Sequence, residues 1–376
     1  LAFTIASGRA DVQPSVNVTN YAKLHKFDPS VFGGVALDEA SILKSLDGKT
    51  RRQLIDAFRD TPFKLCATAT PSPNDHTELG GQAEFLGVMT HSEMLGTFFV
   101  HDGGSTQDWR LKGHAREAFW KWVCSWGAIV KMPSDLGCSD EGYALPELRY
   151  HEHILPASTD DVRKSGMLFA QPAETLVEQR DARRGSLDSR VLECVRIANS
   201  EIPTQGTMVK GQVIVWCDLN AESEALSRHI VGAEEVTGSQ DDDVKEAAIE
   251  RFVSGKSRVL VSKASICGFG LNLQFVSTVI FCGVTHSFEQ FYQAVRRCWR
   301  FGQLRPVDVH IVSSELEGNV VANLKEKQRK AEELSAATRH HVARYVKESV
   351  TATERSVLPY NAAMQIKWPE WLKTEA

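Results

Sequence analysis

The sequence predicts an α/β chain in which parallel sheets covered by helices occur in two separate blocks. Three observations predict it. Short apolar runs, each the length of a buried strand, end in small or polar residues. Amphipathic stretches with helical spacing follow these runs. The alternation occurs twice, over about 15–70 and 205–315, and alternation of this kind is the pattern of a parallel sheet with helices on its faces.

In the first block Gly34-Val35-Ala36-Leu37 runs into Asp38, and Phe63 to Ala67 runs into Thr68. A helix is predicted near 114–126, where Phe119, Trp122, Val123 and Trp126 recur at i, i+3, i+4 and i+7 as a core stripe. Trp109 and Trp120 fall off that stripe and are candidates for stacking on a base. A proline-broken segment over 133–156 places His151 and His153 in extended chain, and a polar run, Ser158 to Ser189, follows. The boundary between blocks is expected near 156, with a flexible connection around Arg180 to Ser186. This divides the chain into 1–156, with a helical insertion near 90–130, then 157–350, then a tail over 351–376.

In the second block, strand-like runs span Val213 to Cys217, Val259 to Ser262, Thr278 to Phe281 and Val307 to Val312. Helical spacing covers Ala221 to Ile230, Val244 to Phe252 and Phe288 to Arg300. Asp241-Asp242-Asp243 opens the second of these, where a helix N-terminus favours negative charge. The charged stretch Leu316 to Val350 predicts a C-terminal helical extension, in which His340 and His341 have no partners that suggest a metal.

Composition narrows the function. There are 43 basic against 48 acidic residues, a formal net charge of −5. That excludes a histone-like tail while permitting a local basic groove. With 42% hydrophobic and 24% charged residues, the chain is neither collagen-like nor mainly disordered. No run of 18 apolar residues predicts a membrane span. The eight cysteines are scattered with no CxxC, which argues against a zinc ribbon or a dense disulfide framework and for a reducing compartment. The opening run from Leu1 lacks the basic and long apolar regions of a signal peptide.

Two glycine-lysine runs imitate a phosphate loop. Gly48-Lys49-Thr50 and Gly255-Lys256-Ser257 both lack the first glycine of G-x-x-x-x-G-K-[ST], because Leu43 and Glu250 stand there. Both read as exposed turns.

Four other segments carry chemistry. Asp38 and Glu39, with Ser41 just beyond, bring two carboxylates to a strand end, where one can hold hydrated Mg²⁺ and the other can polarise a water. Thr68 and Thr70, in Cys66-Ala67-Thr68-Ala69-Thr70-Pro71, can hydrogen-bond that acidic pair. Gly268, Gly270 and Asn272 form a loop after a strand, suited to close approach of backbone to a phosphate. The most specific segment is Gln293-Ala294-Val295-Arg296-Arg297-Cys298-Trp299-Arg300-Phe301-Gly302-Gln303. On one continuous helix Gln293, Arg297 and Arg300 share a face, able to grip a phosphate held by another domain. Arg296 is expected to point elsewhere.

In order and spacing these segments resemble motifs II, III, V and VI of superfamily-two helicase-like ATPases. The last is similar to the Swi/Snf branch, whose pattern is close to QAxDRxHRxGQ. Gln293, Ala294, Arg297, Arg300, Gly302 and Gln303 match it, with Arg296 in place of Asp and Trp299 in place of His. Asn17 to Tyr21 looks like the Thr-Tyr motif that touches nucleic acid, through Thr19 and Tyr21. Val213 to Cys217 looks like the strand of motif IV, and Thr237-Gly238-Ser239 like the turn that touches nucleic acid through Gly238 and Ser239. The segment over 90–150 looks like variants found in phage and bacterial genes.

The resemblance implies two RecA-like lobes, the first incomplete, in a motor that uses ATP and Mg²⁺ to move on DNA, most naturally duplex DNA, in the cytoplasm of a bacterial or phage-infected cell. It implies that Asp38 holds Mg²⁺ through water and that Glu39 activates the attacking water. It implies that Ser41, Thr68, Thr70, Gly268, Gly270 and Asn272 couple nucleotide to nucleic acid. Arg297 and Arg300, with Gln293 beside them, would stabilise transition-state charge. One departure stands out. Only 37 residues precede Asp38, so the family's phosphate loop is missing from the sequence. The expectation is a piece of a longer motor that hydrolyses ATP poorly alone. Two other readings stay open: an inactive nucleic-acid-binding module, and an unrelated doubly wound enzyme in which Asp218, after Val213 to Cys217, would bind a ribose.

Overall fold

The computed structural model describes residues 2–332 except 46–47, 73–74, 102–108, 129, 131, 137, 166–172, 174, 201, 205–206, 210, 268–270, 285–286, 318–319 and 330–331. Gly268, Gly270, His340, His341, the later part of the helical extension and the tail over 351–376 lie outside the described residues.

The second block is built on a six-stranded sheet. Its order is Ala233–Val236, Val259–Lys263, Val213–Cys217, Thr278–Cys282, Val307–Ser314 and Leu148–Leu155, and every neighbouring pair is parallel. Val213–Cys217 and Thr278–Cys282 are buried at every position, as unbroken apolar strands must be when helices cover both faces. Alternation sends Ile214 and Trp216 to one core with Phe252, Phe281 and Phe291. Val213 and Val215 go to the other, with Cys194 and Leu226. Helices Asp242–Val253 and Phe288–Cys298 cover the first face. Leu187–Ala198 and Asn220–His229 cover the second. Asp241 caps Asp242–Val253, with Asp242 and Asp243 in its first turn, as the acidic run predicts. Residues 320–329 are helical, and Val320, Val321 and Leu324 join the first core.

Three expectations are corrected. The boundary near 156 falls too late, because Leu148–Leu155 is the edge strand of the second block's sheet, in register with Val307–Ser314. Its polar alternation, with His151 and His153 on one face, hides the pairing that its neighbour dictates. The connection around Arg180 to Ser186 is not loose. It lies in and just after the helix Leu176–Gly185, and Arg183 is buried. Arg190 Nη1 donates to Glu222 Oε1 at 2.8 Å, Arg183 Nη2 to the same oxygen at 3.0 Å, and Arg190 Nε lies 3.3 Å from Glu317 Oε1. These buried charges are held because they are paired. Finally, the helix carrying the arginines ends at Cys298, so Arg300 lies beyond it.

The first block is sparser. Gly34–Asp38 pairs with Phe63–Ala67 in one two-stranded parallel sheet, and Phe3–Ile5 with Val16–Val18 in another. Leu37, Leu43, Leu54, Phe58 and Phe85 pack beneath the former. Its opposite face leaves Phe63 76% and Leu65 59% exposed. A groove of about 740 Å³ runs between the two small sheets. Helices Leu79–Leu86, His91–Phe98 and Arg116–Trp126, with a hairpin of Phe99–His101 and Trp109–Leu111, follow. Trp120 is buried against His76 and Phe119, so it is core and not a stacking platform. Trp109 packs against His101, with ring centroids 3.7 Å apart and the planes tilted by 35°. Gly48 caps the helix Lys49–Ala57, and Gly255 lies in a turn. The eight cysteines are free thiols. Among the described residues, no helix is long and apolar enough to cross a membrane.

Candidate functional site

Asp38 ends its strand, and Glu39 turns the chain with φ 51°, the single non-glycine positive φ among the described residues. A left-handed residue with a Cβ costs about 1–3 kcal/mol and persists where its surroundings hold it. Here Glu39 caps the short helix Ala40–Lys44 and reaches the second block. Gln293 Nε2 donates to Glu39 Oε2 at 3.1 Å. Burial, and then the neighbouring Asp38, raise the Glu39 carboxyl above its ordinary range, against the pull of Arg297. Asp38 remains exposed, its Oδ1 accepting from the Glu39 N–H at 3.1 Å. Ser41 is buried and donates to the Glu39 carbonyl at 3.5 Å.

The arginine helix, Phe288–Cys298, presents a stripe to these carboxylates. Ser287 Oγ accepts from the Gln290 N–H and starts the helix. Glu289, Gln293 and Arg297 then recur at i, i+4 and i+8. Arg297 is half-buried and carries opposing influences. Burial lowers its pKa, as does Arg300, while Glu39 and Asp38 raise it. Its Nη1 lies 3.5 Å from the Leu271 carbonyl, which ties it to the loop containing Asn272. Arg300 reaches the same electrostatic neighbourhood from the turn after the helix, not along the helical face. Arg296 points elsewhere and packs its guanidinium over Trp299 and Tyr292, at 5.0 and 5.9 Å from the ring centroids. The end of the segment is structural. Gly302 has φ 91°, and a Cβ there would meet Gln274 Oε1 at 2.7 Å. Gln303 is buried and donates to the carbonyls of Val276 at 2.8 Å and Cys298 at 3.4 Å, closing the helix end.

Thr68 and Thr70 lie just past the strand beside Asp38. The Thr70 N–H donates to Thr68 Oγ1 at 3.1 Å, and Thr70 Oγ1 donates across the cleft to Glu289 at 3.4 Å. Thr70 therefore meets the arginine helix, not the acidic pair directly. Tyr21 is also drawn to the acidic strand. Its phenol donates to the Asp38 carbonyl, and burial pushes its pKa up to about 12. Thr19 is exposed after Val16–Val18. Gly238 and Ser239 form a turn after Ala233–Val236, where Thr237 and Ser239 share a hydrogen bond at 3.3 Å. Asn272 is exposed, and its Oδ1 accepts from the Gln274 N–H at 3.4 Å.

Two residues of the cleft escape a reading by motif. Lys44 forms an ion pair with Glu289 across it. The signal was present in the i, i+4 spacing of Glu289 and Gln293, but nothing local pairs position 289 with position 44.

Two features of the site suit a hydrated metal ion and an ordered water. Asp38 offers an exposed hard oxygen ligand at a strand end. Among the described residues Gln293 Oε1, beside Glu39, is buried without a hydrogen-bond partner, so it can accept from a donor in the cleft. Among the described residues, no group of three or more His, Cys, Asp or Glu could hold a metal by itself. A single carboxylate with water and phosphate oxygens is the ordinary arrangement for Mg²⁺.

Residues 197–302 match the family model described as the helicase conserved C-terminal domain. The second block is therefore helicase-like over most of its sheet and through the arginine helix. Among solved structures, the C-terminal part of the Fun30 ATPase domain aligns at 15% identity and a TM-score of 0.28, over 35% of this chain and 48% of that one. This chain thus spans about half of that structure. No curated protein matches the sequence.

Proposed function

We propose that this chain forms the facing lobes of an ATP-dependent nucleic-acid motor of the Swi/Snf type found in phage and bacteria, a helicase or translocase acting on duplex DNA in the cytoplasm. One observation carries the reading. The 3.1 Å hydrogen bond from Gln293 to Glu39 joins the two most motif-like segments across the cleft, although 254 positions separate them in sequence. The lobes meet around Leu148, so the proposed division is 1–147 and 148–332, with the remaining residues following.

In this reading Glu39, raised by burial and neighbouring negative charge, orients and deprotonates the attacking water. Gln293 fixes one Glu39 oxygen, and its open carbonyl can accept from that water. Asp38 would hold a Mg²⁺ through water, and the ion when bound would supply charge neutralisation for the phosphates. Arg297 and Arg300 stabilise charge on the transferring phosphoryl group. Thr68, Thr70, Ser41 and the loop containing Gly268, Gly270 and Asn272 transmit occupancy to the surface around Thr19, Gly238 and Ser239, where the DNA backbone binds. Tyr21 acts on the acidic strand through the Asp38 carbonyl.

The test is DNA-stimulated ATP hydrolysis by a polypeptide containing this chain together with a phosphate loop. Arg297→Ala should lower turnover about 10³–10⁵-fold, and Arg296→Ala should leave it nearly unchanged. DNA affinity must be compared at one salt concentration, because phosphate contacts make it salt-dependent. Loss of DNA binding with normal turnover in Arg297→Ala would make the helix a nucleic-acid grip instead. The 376-residue chain alone should turn over ATP very poorly, because phosphate-loop N–H donors are missing from it.

A further inference from the structure

We propose that Glu289 is a positioning residue that sets the register of the arginine helix on the first lobe by binding Lys44 and Thr70 together. Glu289 occupies the first turn of the helix, where a negative charge is favourable for local reasons alone. Local reasons do not explain its surroundings. Its side chain is 13% exposed, and both of its oxygens are engaged by the other lobe. Oε2 takes the ammonium of Lys44, and Oε1 accepts from Thr70 Oγ1 at 3.4 Å.

The two partners come from different motifs of the first lobe. Lys44 closes the short helix Ala40–Lys44 that begins just after Glu39. Thr70 follows the strand Phe63–Ala67, which lies beside Asp38 in the sheet. One carboxylate therefore touches both chain segments that leave the acidic strand pair. Along the helix, Glu289 stands one turn before Gln293, which holds Glu39, and two turns before Arg297, whose charge acts on Glu39 and Asp38. A helix can slide or roll on a facing surface. Contacts one turn apart, to three separate first-lobe residues, fix both freedoms. A shift of one residue at Glu289 would move Arg297 by about 1.5 Å along the axis and about 100° around it, enough to remove it from the carboxylates. Its catalytic consequence rests on the motor reading above; its structural role does not.

The experiment has two arms. The first uses the 376-residue chain and hydrogen exchange at peptides covering 40–45 and 68–72. Glu289→Gln keeps the size and removes the charge, and should speed exchange in both about fivefold, the effect of one partly exposed ion pair. Peptides from the edge strand Leu148–Leu155 should not change. Lys44→Met should act similarly. The double variant should be no worse than either single, near fivefold and not about 25-fold, because both remove the same contact. Unchanged exchange at the cleft, change spread equally to the edge strand, or multiplicative effects in the double variant would each overturn the proposal. The second arm uses the polypeptide that includes a phosphate loop. There Glu289→Gln should lower kcat about fivefold with the KM for DNA unchanged, since it misplaces Arg297 without touching DNA. An unchanged kcat would refute the catalytic consequence. If the parent polypeptide shows no DNA-stimulated hydrolysis while the first arm succeeds, the motor reading fails and the register contact stands.

Discussion

The strands Gly34–Asp38 and Val213–Cys217 are both parallel, both apolar and both end in an aspartate or the residue before one, yet they live in different surroundings. Val213–Cys217 has a parallel neighbour on each side and helices on both faces, and all five residues are buried. Among the described residues Gly34–Asp38 has one neighbour and one covered face, and three of its five residues are exposed. Strand composition thus says little about how much a strand contributes. What decides it is the number of covering layers. The second block packs a core on each face of its sheet, while the first carries its acidic turn on a two-stranded sheet with a core beneath one face, and meets the second block through Glu289 and Gln293.

That contrast is open to test by truncation. Phe252 is fully buried between the helix Asp242–Val253 and the sheet, and Phe252→Ala should cost about 3–5 kcal/mol, read by denaturant unfolding of the second block. A cost under about 1 kcal/mol would break the comparison. Glu222→Ala should cost a similar amount, about 3–5 kcal/mol, because it removes the buried carboxylate that Arg183 and Arg190 share and leaves two guanidinium groups to Glu317 and Asp218. A variant as stable as the parent would show that this cluster is dispensable to the block.

Acid should weaken the second block through its edge strand. His310 stacks on His151 and hydrogen-bonds His153, with Asp308 and Arg196 nearby. Burial first, and then its neighbouring histidines, hold its pKa at about 4 against an ordinary 6.5. Between those values the unfolded ring takes a proton that the folded ring refuses. Stability is therefore full above about 6.5 and falls as the pH drops toward about 4. His310→Asn should flatten that fall, measured as unfolding free energy at several pH values. An unchanged slope would remove His310 from the acid response.

Smaller effects belong to the first block. Thr90 caps the helix His91–Phe98 in a reciprocal pair with Glu93, and Thr90→Ala should cost about 1 kcal/mol. Phe63→Ala should change stability by less than about 0.5 kcal/mol, because the ring is 76% exposed. A loss of several kcal/mol at Phe63 would mean that the bare face is covered in solution, and would erase the difference between the two sheets.

The sequence alone determined the elements whose cause is local. The apolar runs at Val213 to Cys217 and Thr278 to Phe281, the acidic start at Asp241, and the helix through Gln293 and Arg297 were legible because strand burial, helix-end charge and helical spacing act over a few residues. Asp38, Glu39 and Arg297 were legible as candidates for a related reason: each sits in a compact motif at the end of an element. Tertiary structure decided everything that depends on a distant partner. It assigned Leu148–Leu155 to the second sheet through pairing with Val307–Ser314. It buried Arg183 and Arg190 against Glu222 and Glu317. It ended the arginine helix at Cys298, where Gln303 closes the turn, and so moved Arg300 off the predicted face. It also set Glu289 against Lys44, 245 positions away. Such contacts form only when packing brings the two sheets' ends together, and no pattern within a short window encodes which residue will be waiting on the other side.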